Sequence, residues 1–415
     1  MDSQARAGTP AGLRIPRWEF IALAAALMAL NALAIDIMLP AMQQIGESLG
    51  VAEENRRQLV VTAYIAGFGL SQLAFGPISD RWGRRGPLIV GLTIYVLAAL
   101  AATLAPSFAI LLALRFVQGI GAAATRVITV SVIRDLFGGR AMAEIMSLVF
   151  MVFMVIPVIA PSIGQAIITF AEWHAIFVVM GLLGFCVSIW TIFRLPETLH
   201  PEFRRPFTVA AIAEGFRIVV TNRMSLWYTL ASTALFSALF GFINSAQQVY
   251  VGIYEAGAWF PALFAAVAGL MAVSSFLNSR FVGRFGTRRL SHGALIGFLA
   301  TTTLIFVLSL LGPIPLPLFV GLFAVAMFQF SWIGSNFNTL AMEPLGHVAG
   351  MASSIQGFVT TLGGGVLGAL IGQAFDGTVT PLAAGYFCAA VAGLIFVLIA
   401  EKGRLFRAVN APLRR

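Results

Sequence analysis

Long apolar runs alternate with short polar connections along almost the whole chain. The runs cover residues 18–41, 58–78, 87–105, 108–132, 143–168, 173–195, 225–252, 259–282, 291–312, 316–340, 349–374 and 381–401. Each is close to the ~20 residues that an α-helix needs to cross the hydrocarbon core of a bilayer. The pattern therefore predicts an all-α membrane protein of about twelve transmembrane helices.

The longest polar connection divides these runs into two sets of six. We predict an N-terminal six-helix bundle over residues 1–195, a cytoplasmic linker over 196–223 and a C-terminal six-helix bundle over 224–415. Within the linker, mixed polarity after Thr208 predicts a short helix along the cytoplasmic surface, with Thr208 as its N-cap.

The composition agrees with a lipid environment. The chain is 59% hydrophobic and only 10% charged, whereas a soluble domain carries about 25% charged residues. The net charge of +9 does not indicate nucleic acid, because the basic residues lie in short loops between apolar runs. Such an arrangement orients a membrane protein.

The basic residues fall on one side of the predicted membrane. With the N-terminus in the cytoplasm, all but four of the 26 Lys and Arg residues lie in cytoplasmic segments. Arg56 and Arg57 lie on the opposite side, and Arg115 and Arg126 lie inside the fourth run. The asymmetry predicts a multi-pass protein with both termini in the cytoplasm. We expect the membrane to be a bacterial inner membrane.

The loop after the second run combines arginines with an acid and glycines. Residues 76–85 read Gly-Pro-Ile-Ser-Asp-Arg-Trp-Gly-Arg-Arg, and a related basic loop spans 284–288 after the eighth run. The candidate gate residues are Gly76, Asp80, Arg81, Gly83, Arg84 and Arg85. A charge cluster that only sets orientation explains the arginines, whereas a cytoplasmic latch also explains the acid and the glycines. Because Gly283 stands where the first loop has Asp80, we expect an asymmetric latch.

These segments resemble the major facilitator superfamily. The 76–85 loop is similar to its signature loop, and residues 114–123, Leu-Arg-Phe-Val-Gln-Gly-Ile-Gly-Ala-Ala, resemble a second family motif. The antiporter motif is matched at 160–165, with Pro161 and Gly164 in place, although Gln165 replaces a glycine. Residues 34–42 and 195–198 are similar to the drug:proton antiporters of the bicyclomycin and chloramphenicol resistance group. The resemblance implies two pseudo-symmetric six-helix bundles.

Two charged residues in the runs are candidates for proton coupling. A charge at the centre of a membrane helix costs at least ~2.5–3.5 kcal/mol, so it indicates function. Asp36 lies in the first run and Arg115 in the fourth, at matching depth below the outer boundary, and the resemblance makes these helices neighbours. Burial disfavours a carboxylate while a nearby arginine favours it. Asp36 is thus the candidate proton carrier, with Arg115 as its modulator. A purely structural ion pair is the alternative.

A third charge, Arg126, follows Arg115 by eleven residues and lies on nearly the same helix face. It is a candidate for binding an anionic group of a substrate. The alternative is a side chain that extends toward Asp135 and the cytoplasmic interface.

Polar residues inside the runs are candidates for a substrate cavity. Besides Arg126 they are Tyr64, Gln118, Asn244, Gln248, Gln329, Trp332, Asn336 and Gln356. In a bilayer such residues face either a cavity or a neighbouring helix, where they form interhelical hydrogen bonds.

Together the patterns predict a secondary transporter that exports small amphipathic compounds or drugs in exchange for protons. An exporter of one physiological solute, such as an amino acid or a sugar, is the alternative. The sequence has no GxxxxGK[ST] phosphate loop and no metal-ligand spacing. We therefore expect neither an enzyme nor a cofactor, and a monomer whose partners are its substrate, protons and the lipid bilayer rather than nucleic acid.

The predicted orientation can be checked with fusions in the 76–86 loop. Because this loop is basic, a green fluorescent protein inserted there should fluoresce in the cytoplasm and an alkaline phosphatase should be inactive. The reverse result in the 76–86 loop would overturn the orientation. Insertions beside Arg56 serve as the control and should give the opposite pattern.

Overall fold

The computed structural model describes residues 15–137, 139–204 and 209–406, and within these ranges the chain is helical and contains no strand. Helices satisfy their backbone hydrogen bonds internally, as a segment in lipid must. The chain folds into two compact units, Met1–Ala213 and Glu214–Arg415. The division falls inside the connection between the two sets of six apolar runs.

The helices follow the apolar runs. The first unit contains α1 (Arg17–Asp36), α2 (Met42–Ser48), α3 (Glu54–Arg57), α4 (Leu59–Trp82), α5 (Arg85–Ala102), α6 (Phe108–Leu136), α7 (Gly139–Phe170) and α8 (His174–Arg194), and α9 (Val209–Thr221) crosses the division. The second unit continues with α10 (Arg223–Gln247), α11 (Phe260–Phe285), α12 (Thr287–Leu311), α13 (Leu316–Met342), α14 (Ala349–Phe358), α15 (Gly364–Gln373) and α16 (Thr380–Ala400). Among the described residues, eleven helical segments are long and apolar enough to cross a membrane, and Val155–Phe170 of α7 is a shorter apolar helix. The predicted all-α class is confirmed.

The predicted linker helix is present as α9, which begins at Val209, directly after the predicted N-cap position. Its predicted N-cap, Thr208, lies outside the described residues.

The end of the first span is where the prediction was wrong. The run was expected to end at residue 41, but the helical segment continues from Arg17 to Ser48. It is interrupted after Asp36, because Pro40 has no N–H to donate to the Asp36 carbonyl. A short 3₁₀ turn at Leu39–Ala41 bridges the interruption before α2 begins. Asp36 therefore lies at a break within the first span.

Glycines bring α6 into backbone contact with its neighbours. A Cβ atom at Gly119 would collide with the Tyr64 carbonyl of α4, and one at Gly121 would collide with the Gly91 carbonyl of α5. Small residues at helix interfaces allow such close approach in membranes. Because α6 is held on two sides, the arginines it carries are fixed in position.

Similar packing joins α10 and α15 in the second unit. A Cβ at Gly364 would press on Phe236, and one at Gly368 would press on Phe240. Two π-helical turns interrupt these helices, at Gln248–Ile253 after α10 and at Val359–Gly363 before α15. Such turns widen a helix locally and are frequent at functional sites.

Replacement of Gly119 by alanine should lower the unfolding temperature in detergent. The added methyl group must push α4 away from α6, and overpacking of this kind costs about 1–3 kcal/mol. Gly269→Ala in α11 is the matched control, because no atom lies within 4 Å of its Cβ position. An equal unfolding temperature for both variants would contradict the backbone contact.

Candidate functional site

Arg115 is the centre of a buried polar cluster in the first unit. Its side chain is fully buried and donates to three acceptors on different elements. Nη2 donates to the Ala34 carbonyl at 2.9 Å, Nη1 to Oε1 of Gln118 at 2.7 Å, and Nε to the Val60 carbonyl at 3.3 Å. The guanidinium thus joins α1, α4 and α6 through charge-assisted hydrogen bonds.

Aromatic and amide side chains complete this cluster. The Arg115 guanidinium lies 4.5 Å from the centroid of the Tyr64 ring, a distance at which a cation is attracted to the ring face. The Tyr64 hydroxyl donates to Oδ1 of Asn31 at 2.9 Å, and the Tyr95 hydroxyl lies 3.4 Å from the Leu30 carbonyl. The two tyrosine hydroxyls and Nη2 of Arg115 thus all bind residues of the C-terminal half of α1.

Asp36 is the last residue of α1 and is buried. Among the residues that the structure describes, no Lys, Arg or His nitrogen lies within 4.0 Å of its carboxylate. The structure therefore does not contain a direct ion pair between Asp36 and Arg115. Arg115 instead binds the Ala34 carbonyl, two residues before Asp36, as a cation placed at the negative end of a helix.

The antiporter motif packs against the same break. A Cβ atom at Gly164 of α7 would collide with the carbonyl of Ile37, the residue that follows Asp36. Pro161 lies inside α7 one turn earlier, where proline removes a helical hydrogen bond and bends the helix. The motif thus places a proline-containing stretch of α7 beside the break in α1, next to the buried carboxyl group.

Arg126 lies on α6 without a comparable set of partners among the described residues. Its guanidinium is 5.9 Å from the centroid of the Phe68 ring, and its side chain is partly exposed. It does not pair with Asp135, because that carboxylate binds Arg84 instead.

In the predicted gate loop, Arg84 is the residue that organises the charges. It is buried and bonds to Oδ2 of Asp135 at 2.7 Å, to Oδ1 of Asp80 at 2.5 Å and to Oγ of Ser79 at 2.8 Å. Burial alone would lower the pKa of Arg84, but the hydrogen bonds and negative charges of Asp135 and Asp80 outweigh it and raise the pKa above its ordinary value. Arg84 therefore stays charged and clamps α4 to α6. Arg81 is exposed beside Trp82.

Glu197 joins the gate loop to the segment after α8. Its carboxylate accepts from the backbone N–H groups of Arg84 at 2.7 Å and Arg85 at 3.1 Å, so it caps the start of α5, where a negative charge is favoured. Gly83 makes this approach possible. Its φ is +94°, and a Cβ there would collide with the Glu197 carboxylate. Gly76 is buried, and its carbonyl accepts from Ser79.

The second unit builds a corresponding cluster from different residues. Gly286 has φ +82° and ψ 154°, close to the conformation of Gly83. Arg288 then bonds to Glu401 at 2.8 Å and to Glu343 at 3.0 Å. Gly283 supplies no acid, and Arg288 pairs instead with acids that follow α13 and α16, so the two loops differ in where their acids come from.

The cluster of the second unit extends to the end of the described chain. The Tyr228 hydroxyl donates to Oε1 of Glu401 at 2.8 Å and lies 2.9 Å from Nε2 of His292. On the other side of the ring, Nδ1 of His292 accepts from the backbone N–H of Phe406 at 3.1 Å. The residues after α16 are in this way tied to a buried histidine.

The predicted cavity residues of the second unit mostly form hydrogen bonds within it. Trp332 donates to the Ser274 carbonyl at 2.8 Å, and Asn336 donates to Asn278 at 2.8 Å, so both join α13 to α11. The other contacts are between Gln329 and Thr301, between Gln356 and both Ser225 and the Ala341 carbonyl, and between Asn244 and the Phe240 carbonyl. Gln248 is buried in the first π-helical turn. For Trp332, Asn336 and Gln356 the interhelical alternative describes the observed contacts.

Comparison with known proteins decides the family. The family model of the Major Facilitator Superfamily matches residues 24–369. The chain belongs to the Major Facilitator Superfamily. It is a multi-pass membrane transporter and not an enzyme.

Relatives and solved structures agree with this assignment. The chain is 34% identical to a bicyclomycin resistance protein homolog of Haemophilus influenzae over 366 residues, covering 88% of this chain and 91% of the relative. It is 32% identical to the MFS-type transporter YdgK of Bacillus subtilis, over 88% and 91% of the two chains. It is 28% identical to the multidrug resistance protein MdtL of Escherichia coli, over 83% and 86%.

Among solved structures, the fold resembles the human organic anion transporter MFSD10, with a TM-score of 0.68 and 17% identity over 94% of this chain and all of that one. It also resembles a bacterial homolog of the human lysosomal transporter Spinster, with a TM-score of 0.66 and 16% identity over 93% and 95%. At these identities the likeness shows the shared superfamily fold alone.

Sequence reasoning missed several residues of the two clusters. Asn31 and Tyr95 stand among apolar residues and carry no motif, although a polar residue in a membrane helix is itself a signal. Asp135 was considered only as an alternative partner of Arg126, and Glu343 and Glu401 were not singled out. A signal for Glu197 was present, because it lies in the segment that resembles the resistance group, but its partners are 112 and 113 positions away.

Replacement of Gly83 by alanine should destabilise the gate loop. The backbone conformation there is one that essentially only glycine adopts, at a cost of about 1–3 kcal/mol for other residues, and the methyl group displaces Glu197. We expect a lower unfolding temperature in detergent and weaker protection of the α5 amides in hydrogen exchange. Gly86→Ala is the control, because its Cβ position in α5 is open. Equal behaviour of the two variants would show that the Glu197 cap does not stabilise the loop.

Proposed function

We propose that this transporter exports small amphipathic compounds, drugs among them, across a bacterial inner membrane in exchange for protons. The names of its relatives support efflux, since one is a bicyclomycin resistance protein homolog and another a multidrug resistance protein. The clustering of basic residues in alternate loops supports an orientation with both termini in the cytoplasm.

The observation that carries the proton step is the setting of Asp36. A buried carboxyl group without a cationic partner is more easily accommodated when it is protonated. A change that admits water or brings a cation closer favours its ionised form. In the proposed cycle Asp36 takes up a proton on one side of the membrane and releases it on the other as access alternates.

Arg115 acts in this proposal as a positioning residue. Its hydrogen bond to the Ala34 carbonyl holds the broken end of α1, and so sets where the Asp36 carboxyl group lies. The contact of Gly164 with Ile37 supports the break from a second helix, α7. A shift of α7 or α6 would therefore reach Asp36 through backbone contacts rather than through a direct salt bridge.

Asp36→Asn should abolish substrate-induced proton release. In inverted membrane vesicles with an imposed proton gradient, bicyclomycin or chloramphenicol should collapse the gradient through the wild type. Vesicles with the variant should respond like vesicles without the protein, because asparagine cannot release a proton in this range. Asp376→Asn is the matched control, since that acid is exposed and its bonds among the described residues are local, to Thr378.

Unchanged proton release with Asp36→Asn would remove Asp36 from the mechanism. Proton release with a single amino acid or sugar, and with neither drug, would favour the alternative of a dedicated exporter of one solute. Absence of proton release with every compound tested would contradict proton exchange itself.

A further inference from the structure

The two arginines of α6 differ sharply in their surroundings. Arg115 uses donors on three nitrogens for acceptors on α1, α4 and α6. Arg126, eleven residues later on nearly the same face, donates to no acceptor among the residues that the structure describes, and no described acid lies within 4.0 Å. A guanidinium carries five N–H donors, and none of those of Arg126 is used by a described residue.

A row of aromatic rings connects the two arginines. Tyr64 and Phe68 stack one helical turn apart, with ring centroids 6.3 Å apart and planes inclined by 5°. The Arg115 guanidinium lies 4.5 Å from the Tyr64 centroid at one end, and that of Arg126 lies 5.9 Å from the Phe68 centroid at the other. Unlike Arg115, Arg126 is partly exposed. Its end of the row is therefore open, whereas the Arg115 end is closed.

Asp135, the acid that the sequence analysis considered as a partner, does not neutralise Arg126. Asp135 lies nine residues further along the same helix, but it is taken by Arg84. An unpaired charge inside a membrane helix is costly to keep and marks a functional position. The planar guanidinium matches carboxylate, sulfonate or phosphate groups through paired hydrogen bonds.

We propose that Arg126 binds an anionic group of the transported compound, while Phe68 contacts the apolar or aromatic body of the same molecule. The substrates then include amphipathic compounds with a carboxylate, sulfonate or phosphate group, besides the uncharged drugs of the vesicle assay. This inference rests on the proposed export function and specifies its substrate. It assigns Arg126 to substrate and Asp36 to the proton, so the two charges do not compete for one partner.

The test compares 2-naphthoate with 2-naphthamide, which share a ring system and differ in charge. Isothermal titration calorimetry on the purified full-length protein in neutral detergent measures both dissociation constants. We expect the acid to bind at least about tenfold more tightly to the wild type, a difference of about 1.4 kcal/mol. The preference should disappear in Arg126→Gln and be partly retained in Arg126→Lys, which keeps the charge but loses the planar fork.

Arg280→Gln is the matched control variant. Arg280 also lies over a phenylalanine ring, 5.2 Å from the Phe276 centroid, but it is exposed on α11; its loss should leave the preference unchanged. Arg126→Gln should unfold at the wild-type temperature or higher, because it removes a charge that no described acid balances. A marked fall in unfolding temperature would show instead a structural role and would overturn the assignment.

Two further results would overturn the inference. One is equal affinity of the wild type for acid and amide, or no measurable binding of either. The other is Arg126-dependent binding of dioleoyl phosphatidylglycerol without binding of naphthoate, which would make the anion a lipid headgroup.

The inverted-vesicle assay separates this inference from the export proposal. If only uncharged compounds cause Asp36-dependent proton release, the anion site is refuted and the export proposal stands. If naphthoate binds but no compound causes proton release, the export proposal is refuted and the anion site stands.

Discussion

The structure of the first unit depends on one constraint: a polar backbone group in a bilayer must find its partner within the protein. Pro40 breaks the first span and leaves carbonyl groups without helical donors. Arg115 donates to one of them, the Ala34 carbonyl. Its other hydrogen bonds go to the Val60 carbonyl and the Gln118 side chain. The broken helix therefore supplies an acceptor to the buried arginine, and the arginine supplies a donor to the broken helix. Asp36 lies where this arrangement leaves a carboxyl group without a cation among the described residues.

The two units form similar clusters of an arginine and two acids from different residues. Each has a glycine of positive φ before a helix, followed within two positions by an arginine clamped between acids. In the first unit one acid, Asp80, lies near the end of the preceding helix α4, whereas in the second both come from the ends of later helices. What is repeated is the electrostatic arrangement and not the sequence. An alignment of the two loop sequences therefore underestimates their structural similarity.

The sequence was sufficient for what depends on local chemistry. Apolar runs of bilayer length predicted the helices, and Asp36, Arg115 and the 76–85 loop were recognisable because charges are rare in such surroundings. It was insufficient for contacts between distant segments. The continuation to Ser48 was missed, since a proline that interrupts a span looks the same in sequence as one that ends it. For Trp332 and Asn336, a helical stripe of polar residues is compatible with a cavity and with a neighbouring helix alike, and only the positions of Ser274 and Asn278 distinguish the two.

The tie between His292 and Phe406 has a practical consequence for handling the protein. Affinity tags and cleavage sites are commonly attached directly behind the last transmembrane helix. Here a truncation before Phe406 would remove the backbone N–H that Nδ1 of His292 accepts from, and would open the side of the cluster that also holds Tyr228 and Glu401. Fusion partners are better joined beyond Phe406, where the backbone amide stays in place.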